Sequence, residues 1–287
     1  MINSRAIGLN QIYLDSEIDG FSNIGVGILI RSLGHGLKVC YVDVGGGCNR
    51  LTNLFENLSL SSNFVKNFKF FNCDFYNFTK NKNILSRSII PLVEFSNINK
   101  NLFLNSLRNY DILIFENCNL EKFSKNEISN ILNFKNEFSE IIFTFSDKNE
   151  YHEVKNLFNL KSKYNYKSQK NLFTNNKIID ITGNGRGKSL YSFGYIIKRF
   201  INKDDIKLIY FDKEDFYYGE MVFFKALKEW SKLNKYYGNF DFVITGMKRI
   251  FGLNYRSENI YDDYIEAEEA IKLLKTSVKK QSCIIAD

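Results

Sequence analysis

The sequence is poor in the residues that build disulfide frameworks and zinc sites. Its five cysteines are scattered, odd in number and without a CxxC pair, and its two histidines, His35 and His152, lie far apart. This pattern argues against a disulfide scaffold and a structural zinc site, and it offers no histidine-based catalytic triad. We therefore expect reduced thiols, which are usual in a reducing compartment.

Long apolar runs are also missing. No stretch approaches the roughly 18 residues that a membrane span needs, and residues 1–10 lack the charged-then-apolar order of a secretion signal. These absences predict a cytoplasmic protein without a membrane partner. Proline is nearly absent, whereas Asn, Lys, Ile, Phe and Tyr are abundant, which indicates a general compositional bias.

The net charge of +7 is not concentrated in basic blocks. A basic protein can bind nucleic acid, but no nucleic-acid-binding motif accompanies the dispersed lysines, so we expect no nucleic-acid partner. The 287 residues, of which 44% are hydrophobic, are enough for about two domains with cores of their own.

One glycine-rich stretch, ITGNGRGKSLYSFG, occupies residues 181–194. Apolar residues before it predict a short buried strand over 176–182, and apolar residues at helical spacing after it predict a helix over 188–200. A strand, a glycine-rich loop and a helix form the context in which a P-loop binds nucleotide phosphates. The predicted binding residues are Thr182, Gly183, Asn184, Gly185, Arg186, Gly187, Lys188 and Ser189.

These residue types suit the phosphates of ATP. Glycines allow the backbone N–H groups to face a phosphate chain, and the start of a helix adds roughly half a positive charge. Lys188 would contact the phosphates, and Ser189 would bind Mg²⁺ or Mn²⁺. Thr182 stands where the general pattern has its first glycine. The alternative interpretation is a glycine-rich turn with a chance lysine.

The chain also contains a hidden repeat. Residues 12–31 align without a gap with residues 179–198, and each segment leads to an apolar run that predicts the next strand of a βαβ unit. The alternative is a coincidental alignment of two short segments. The aligned pairs include Gly20 with Gly187, Phe21 with Lys188, Ser22 with Ser189, Gly27 with Gly194 and Arg31 with Lys198.

This repeat predicts an α/β fold of two tandem P-loop NTPase-like (RecA-like) three-layer units with mainly parallel sheets. The first unit covers residues 1–160, a polar linker covers 161–176, and the second unit covers 177–287. The first unit is predicted to have lost the phosphate chemistry. A phenylalanine at its lysine position cannot neutralise a phosphate, and three acids, Asp15, Glu17 and Asp19, would repel one.

An acid at the end of a neighbouring strand would complete a P-loop site by binding the metal ion. In the first unit, Glu116 stands near the end of the apolar segment 110–117, and in the second unit the apolar segment 282–287 ends on Asp287. Because the sequence stops there, we expect the second unit to be incomplete at its C-terminus. The alternative is that the first unit completes it.

These residues together resemble the P-loop ATP:corrinoid adenosyltransferases, whose pattern runs from a strand through TGxGKGK[ST] and a short spacer to FG and a helix. The second half reads TGNGRGKS from Thr182 to Ser189, followed by Phe193-Gly194, whereas the first half contains RSLGHGLKV at residues 31–39. The resemblance is strongest over residues 179–220, and it makes Thr182 an expected residue.

The resemblance implies transfer of the 5′-deoxyadenosyl group of ATP to the Co(I) of a reduced corrinoid, with release of triphosphate. It implies Lys188 as the catalytic residue and the backbone of 183–188 as the phosphate ligand. Ser189 and Asp287 would bind Mg²⁺, and Lys213 and Glu220 would lie near the nucleotide. ATP and the reduced corrinoid are the expected partners, and the sequence leaves open whether two copies form a homodimer.

Two other functions stay open. The degenerate first unit allows a protein that binds ATP or a corrinoid without transferring anything. The second is a P-loop enzyme of another kind, a kinase or an ATPase, since Arg249 and Arg256 could belong to a lid over the nucleotide. The products distinguish the three functions, because only the transferase releases triphosphate. The single tryptophan, Trp230, is predicted to pack a helix rather than to bind the corrinoid.

Overall fold

The structure, a computed structural model, is that of an α/β protein with mostly parallel sheets. It describes residues 11–15, 21–34, 37–44, 49–61, 68–72, 110–121, 123–133, 140–161, 167–173, 176–182, 187–212, 218–234, 236–246 and 283–285, together with the isolated positions 269 and 272. Within these residues, no helix combines the length and the apolar character that crossing a bilayer requires.

Ten strands and six helices are described. The strands are β1 (Gln11–Leu14), β2 (Val39–Asp43), β3 (Phe68–Asn72), β4 (Ile112–Cys118), β5 (Glu140–Phe145), β6 (Lys167–Phe173), β7 (Asn176–Thr182), β8 (Ile206–Asp212), β9 (Phe240–Gly246) and β10 (Cys283–Ile285). The helices are α1 (Asn23–Gly34), α2 (Asn49–Ser61), α3 (Lys125–Asn133), α4 (Lys148–Leu157), α5 (Gly187–Ile201) and α6 (Tyr218–Leu233).

The first half forms a five-stranded parallel sheet in the order β1-β5-β4-β2-β3. Strands β1, β2, β4 and β5 are buried on both faces, and their successive residues alternate between two apolar cores. In β4, Ile114 belongs to the core that contains α1, whereas Leu113 and Phe115 belong to the core that contains α3 and α4. The sheet therefore has helices on both faces.

The second half contains a parallel sheet in the order β10-β8-β9, which repeats the order β4-β2-β3 of the first half. The bounds of β7 and α5 confirm the predicted strand and helix on either side of the glycine-rich loop. In the first half, β1 reaches its sheet only through β5. The described residues of the second half contain no counterpart of β5, and β7 pairs with β6 instead.

The segment predicted as a linker, residues 161–176, contains secondary structure. Strand β6 occupies Lys167–Phe173 and pairs antiparallel with β7, with Lys167 opposite Thr182. The polar composition of this segment concealed the strand, because a strand that pairs along one edge needs backbone hydrogen bonds rather than an apolar face.

The two halves meet through an antiparallel pair of helices, α1 and α5. A Cβ atom added to Gly27 would lie 1.8 Å from the carbonyl oxygen of Leu190, and one added to Gly194 would lie 1.9 Å from that of Asn23. The helix backbones therefore touch directly at both glycines. In the repeat, Gly27 aligns with Gly194 and Asn23 with Leu190. The two contacts are thus equivalent, as in a two-fold symmetric interface.

One apolar core surrounds this contact and includes residues of both halves. Phe55 of α2 stacks on Phe223 of α6 with ring centroids 5.5 Å apart. Near the C-terminal end of α5, Trp230 of α6 packs edge-on against Phe200 with ring centroids 6.4 Å apart, which confirms its predicted packing role.

We predict that Gly27→Ala and Gly194→Ala each lower the free energy of unfolding by about 1–3 kcal/mol, because the new methyl group forces the helices apart. This loss should occur although alanine favours a helix by about 1 kcal/mol over glycine. Urea unfolding measures it. The exposed Leu233→Ala in α6 serves as a control and should change stability by less than about 0.5 kcal/mol. Unchanged stability in both glycine variants would contradict the contact.

Candidate phosphate-binding sites

The first turn of α1 is already occupied by side chains of the chain itself. The backbone N–H of Ile24 donates to Oδ2 of Asp15 at 3.0 Å, and that of Ser22 donates to Oε1 of Glu116 at 2.5 Å. The N–H of Gly25 donates to Oγ of Ser22 at 2.9 Å. The N–H groups that could bind a phosphate at this helix start are therefore satisfied by two carboxylates and a hydroxyl.

Both carboxyl groups are buried at this helix start. Burial raises the pKa of Glu116 to about 7, and hydrogen bonds from Ser22, Tyr41 and Thr144 oppose this rise. Burial likewise raises the pKa of Asp15 to about 6. The hydrogen bond from Ile24 and the charge of Lys198, which comes from α5 in the other half, oppose that rise.

The start of α1 also leaves little space for a ligand. A Cβ atom added to Gly25 would lie 2.2 Å from Oε2 of Glu116, so this carboxyl group fills the volume beside the first turn. Asp15 was predicted to repel a phosphate, and the structure adds that it takes the position of one. The role of Glu116 at this helix was not predicted, although its place near the end of the apolar segment 110–117 was the available clue.

The second glycine-rich site lies partly within the described residues. Thr182 is the last residue of β7, Gly187, Lys188 and Ser189 form the first turn of α5, and Glu220 lies in the first turn of α6. For these residues the backbone positions are described. The other predicted site residues lie outside the described part of the chain: Gly183, Asn184, Gly185, Arg186, Lys213 and Asp287.

The two helix starts differ in charge at aligned positions. The first half has Asp15, Glu17 and Asp19, and the second half has Thr182, Asn184 and Arg186 at the same places. The second half also has Lys188 where the first has a buried phenylalanine. At these positions the second half supplies no carboxylate of its own, so the first turn of α5 suits an external anion.

Of the two residues proposed to hold a metal ion, Ser189 is described only in its backbone and Asp287 lies outside the described residues. Among the described residues, no group of three or more His, Cys, Asp and Glu side chains is placed to hold a metal. In the first half the serine aligned with Ser189, Ser22, donates its backbone N–H to Oε1 of Glu116 at 2.5 Å.

Comparison of the chain with protein-family models, with curated proteins and with solved structures gives no match.

We predict that stability falls as the pH rises from about 4.5 to about 7. In the folded protein Glu116 holds its proton up to about pH 7, against 4.5 for an ordinary glutamate, so the folded state binds more protons in this window. The Glu116→Gln variant should lose most of this decrease in the free energy of unfolding, which is on the order of 1–3 kcal/mol over the whole window. Asp15 contributes in the same direction up to about pH 6.

Urea unfolding between pH 5 and pH 8 tests this prediction. The exposed Glu121→Gln is the matched control and should keep the wild-type slope. Equal slopes for wild type and Glu116→Gln would show that Glu116 ionises normally.

Proposed function

We propose that this protein binds ATP at the start of α5 and transfers its 5′-deoxyadenosyl group to the Co(I) of a reduced corrinoid, releasing triphosphate. The observation that carries the ATP site is the contrast between two aligned helix starts. The first is closed by Asp15 and Glu116, whereas the second has Thr182 in place of Asp15 and Lys188 in place of Phe21. The reaction itself follows from the motif resemblance.

We propose further that the two halves are tandem P-loop units of the RecA-like type. The repeated strand order, β4-β2-β3 and β10-β8-β9, supports this arrangement, as do the equivalent glycine contacts between α1 and α5. The meeting of Asp15 and Glu116 at one helix start gives further support. Asp15 follows β1 and Glu116 lies within β4, and β5 separates these two strands in the sheet.

In the proposed reaction, the Co(I) of the substrate attacks the ribose C5′ of ATP. A Co–C bond forms, the C5′–O bond breaks, and triphosphate leaves with the bonding electron pair while the cobalt becomes formally Co(III). The chain's part is to hold the triphosphate and to neutralise the charge that grows on it. Lys188 and the backbone N–H groups of the first turn of α5 would do this.

Ser189 and Asp287 would hold Mg²⁺, which when bound supplies positive charge beside the phosphates. Lys213 and Glu220 are assigned to the nucleotide by their motif positions.

We predict that Lys188→Ala weakens ATP binding and abolishes transfer, because the lysine charge acts on the phosphates. An anaerobic incubation of ATP, Mg²⁺ and chemically reduced cob(I)alamin measures adenosylcobalamin and triphosphate together. Phe21→Leu, at the aligned position of the first half, should leave both products within about twofold, since it removes no charge. ATP binding without either product would favour a binding protein, and release of ADP would favour a kinase or ATPase.

We predict that Ser189→Ala raises the Mg²⁺ concentration needed for activity by about tenfold or more, a loss typical of weakened metal surroundings. Ser22→Ala is the matched variant in the first half. It removes the hydroxyl that accepts from Gly25 at the start of α1, so it should lower stability by about 1 kcal/mol and leave the Mg²⁺ requirement unchanged. Mg²⁺ titrations of the transfer rate test both. Identical Mg²⁺ curves for Ser189→Ala and wild type would remove Ser189 from the metal site.

A further inference from the structure

The residues of α1 and α5 that lie level with each other can be followed to the last turn of α1. Asn23 lies against Gly194 and Gly27 lies against Leu190, so each advance of four residues along α1 matches a return of four along α5. Four residues are about one helical turn. One further turn along α1 brings Arg31 level with the first turn of α5, which begins at Gly187.

At the opposite end of the helix pair, a lysine of α5 lies beside the start of α1. One turn beyond Gly194, the Nζ atom of Lys198 lies 5.1 Å from the ring centroid of Phe21, beside the start of α1. Lys198 is buried, and its charge favours the ionised form of Asp15, which accepts a hydrogen bond from that helix start. Helix α5 therefore supplies a cation to the anion held by α1.

The repeat gives a second, independent argument for the position of Arg31. Arg31 aligns with Lys198, and Phe21 aligns with Lys188. Because the contacts at Gly27 and Gly194 are equivalent, the repeat would place Arg31 beside the start of α5 as Lys198 lies beside the start of α1. Arg31 is half-buried and lies in the last turn of α1.

We propose that Arg31 of the first half binds the phosphates of a nucleoside triphosphate held at the first turn of α5. This inference rests on the proposed function. Asp15 is the anion at the start of α1, whereas the aligned residue in the second half is Thr182. The anion at the start of α5 is then the ligand's own polyphosphate. The forked guanidinium of an arginine matches two phosphate oxygens, which a lysine cannot do.

Calorimetric titration of the full chain with Mg·ATP, inorganic tripolyphosphate and adenosine tests the assignment. Arg31→Gln should weaken ATP and tripolyphosphate binding about 10- to 100-fold, as expected for lost charge-assisted hydrogen bonds, and should leave adenosine binding unchanged. Lys198→Gln, the matched variant, should change tripolyphosphate binding by less than about twofold, because its charge serves the other helix start.

Three results would overturn the assignment. Equal tripolyphosphate affinity in wild type and Arg31→Gln would remove Arg31 from the site while leaving the proposed function intact. An equal loss for adenosine and tripolyphosphate would indicate a merely structural role. A wild-type protein that binds neither ATP nor tripolyphosphate would overturn the proposed function and this inference together.

Arginine modification of the wild-type protein gives a test that needs no variant. Phenylglyoxal labels accessible arginines, and peptide mapping reports each one. Tripolyphosphate should slow the labelling of Arg31 about tenfold or more and should leave the labelling of the exposed Arg50 unchanged. Equal labelling of Arg31 with and without tripolyphosphate would contradict the proposal.

Discussion

The direct backbone contact between α1 and α5 is the constraint on which the arrangement of the two halves depends. At Gly27 and Gly194 a single methyl group would overlap the backbone of the opposite helix. Because the helices run antiparallel, the last turn of each lies beside the first turn of the other. A helix end favours cations and a helix start favours anions. Arg31 and Lys198 both lie in last turns. Each can therefore interact favourably with the C-terminus of its own helix and with an anion at the start of the neighbouring helix.

The starts of α1 and α5 differ in the charged side chains at their aligned positions. In the first half the anions are Asp15 and Glu116, which lose hydration on burial and regain part of that loss from backbone N–H groups. The raised pKa values of both groups show that the compensation is incomplete. Such a site is closed by charge and by volume. At the position of Asp15 the second half has Thr182, and under the proposed function the anion at that helix start would come from a ligand.

Local patterns in the sequence predicted more of the structure than of the site. Apolar periodicity gave β7 and the start of α5 almost to the residue, because both are set by neighbouring residues. Strand β6 was missed because its pairing along one edge leaves no apolar pattern. The hydrogen bond from Ser22 to Glu116 spans 94 residues and depends on strand order, which periodicity does not specify. The aligned glycines were visible in the sequence, but their contact partners were not.

Under the proposed function, the pairing of helices would explain why the first half, which lacks the phosphate-binding lysine, is retained. In the proposed transfer, negative charge would accumulate on the leaving triphosphate as the C5′–O bond of ATP breaks, and fixed cations beside it would lower the barrier. In that proposal the start of α5 would contribute about half a charge and Lys188 a full one, which together are less than the charge of a triphosphate. A further cation from the last turn of α1 requires no change in the glycine-rich loop. It requires only that α1 stay in register with α5, and the backbone contact at Gly27 and Gly194 fixes that register.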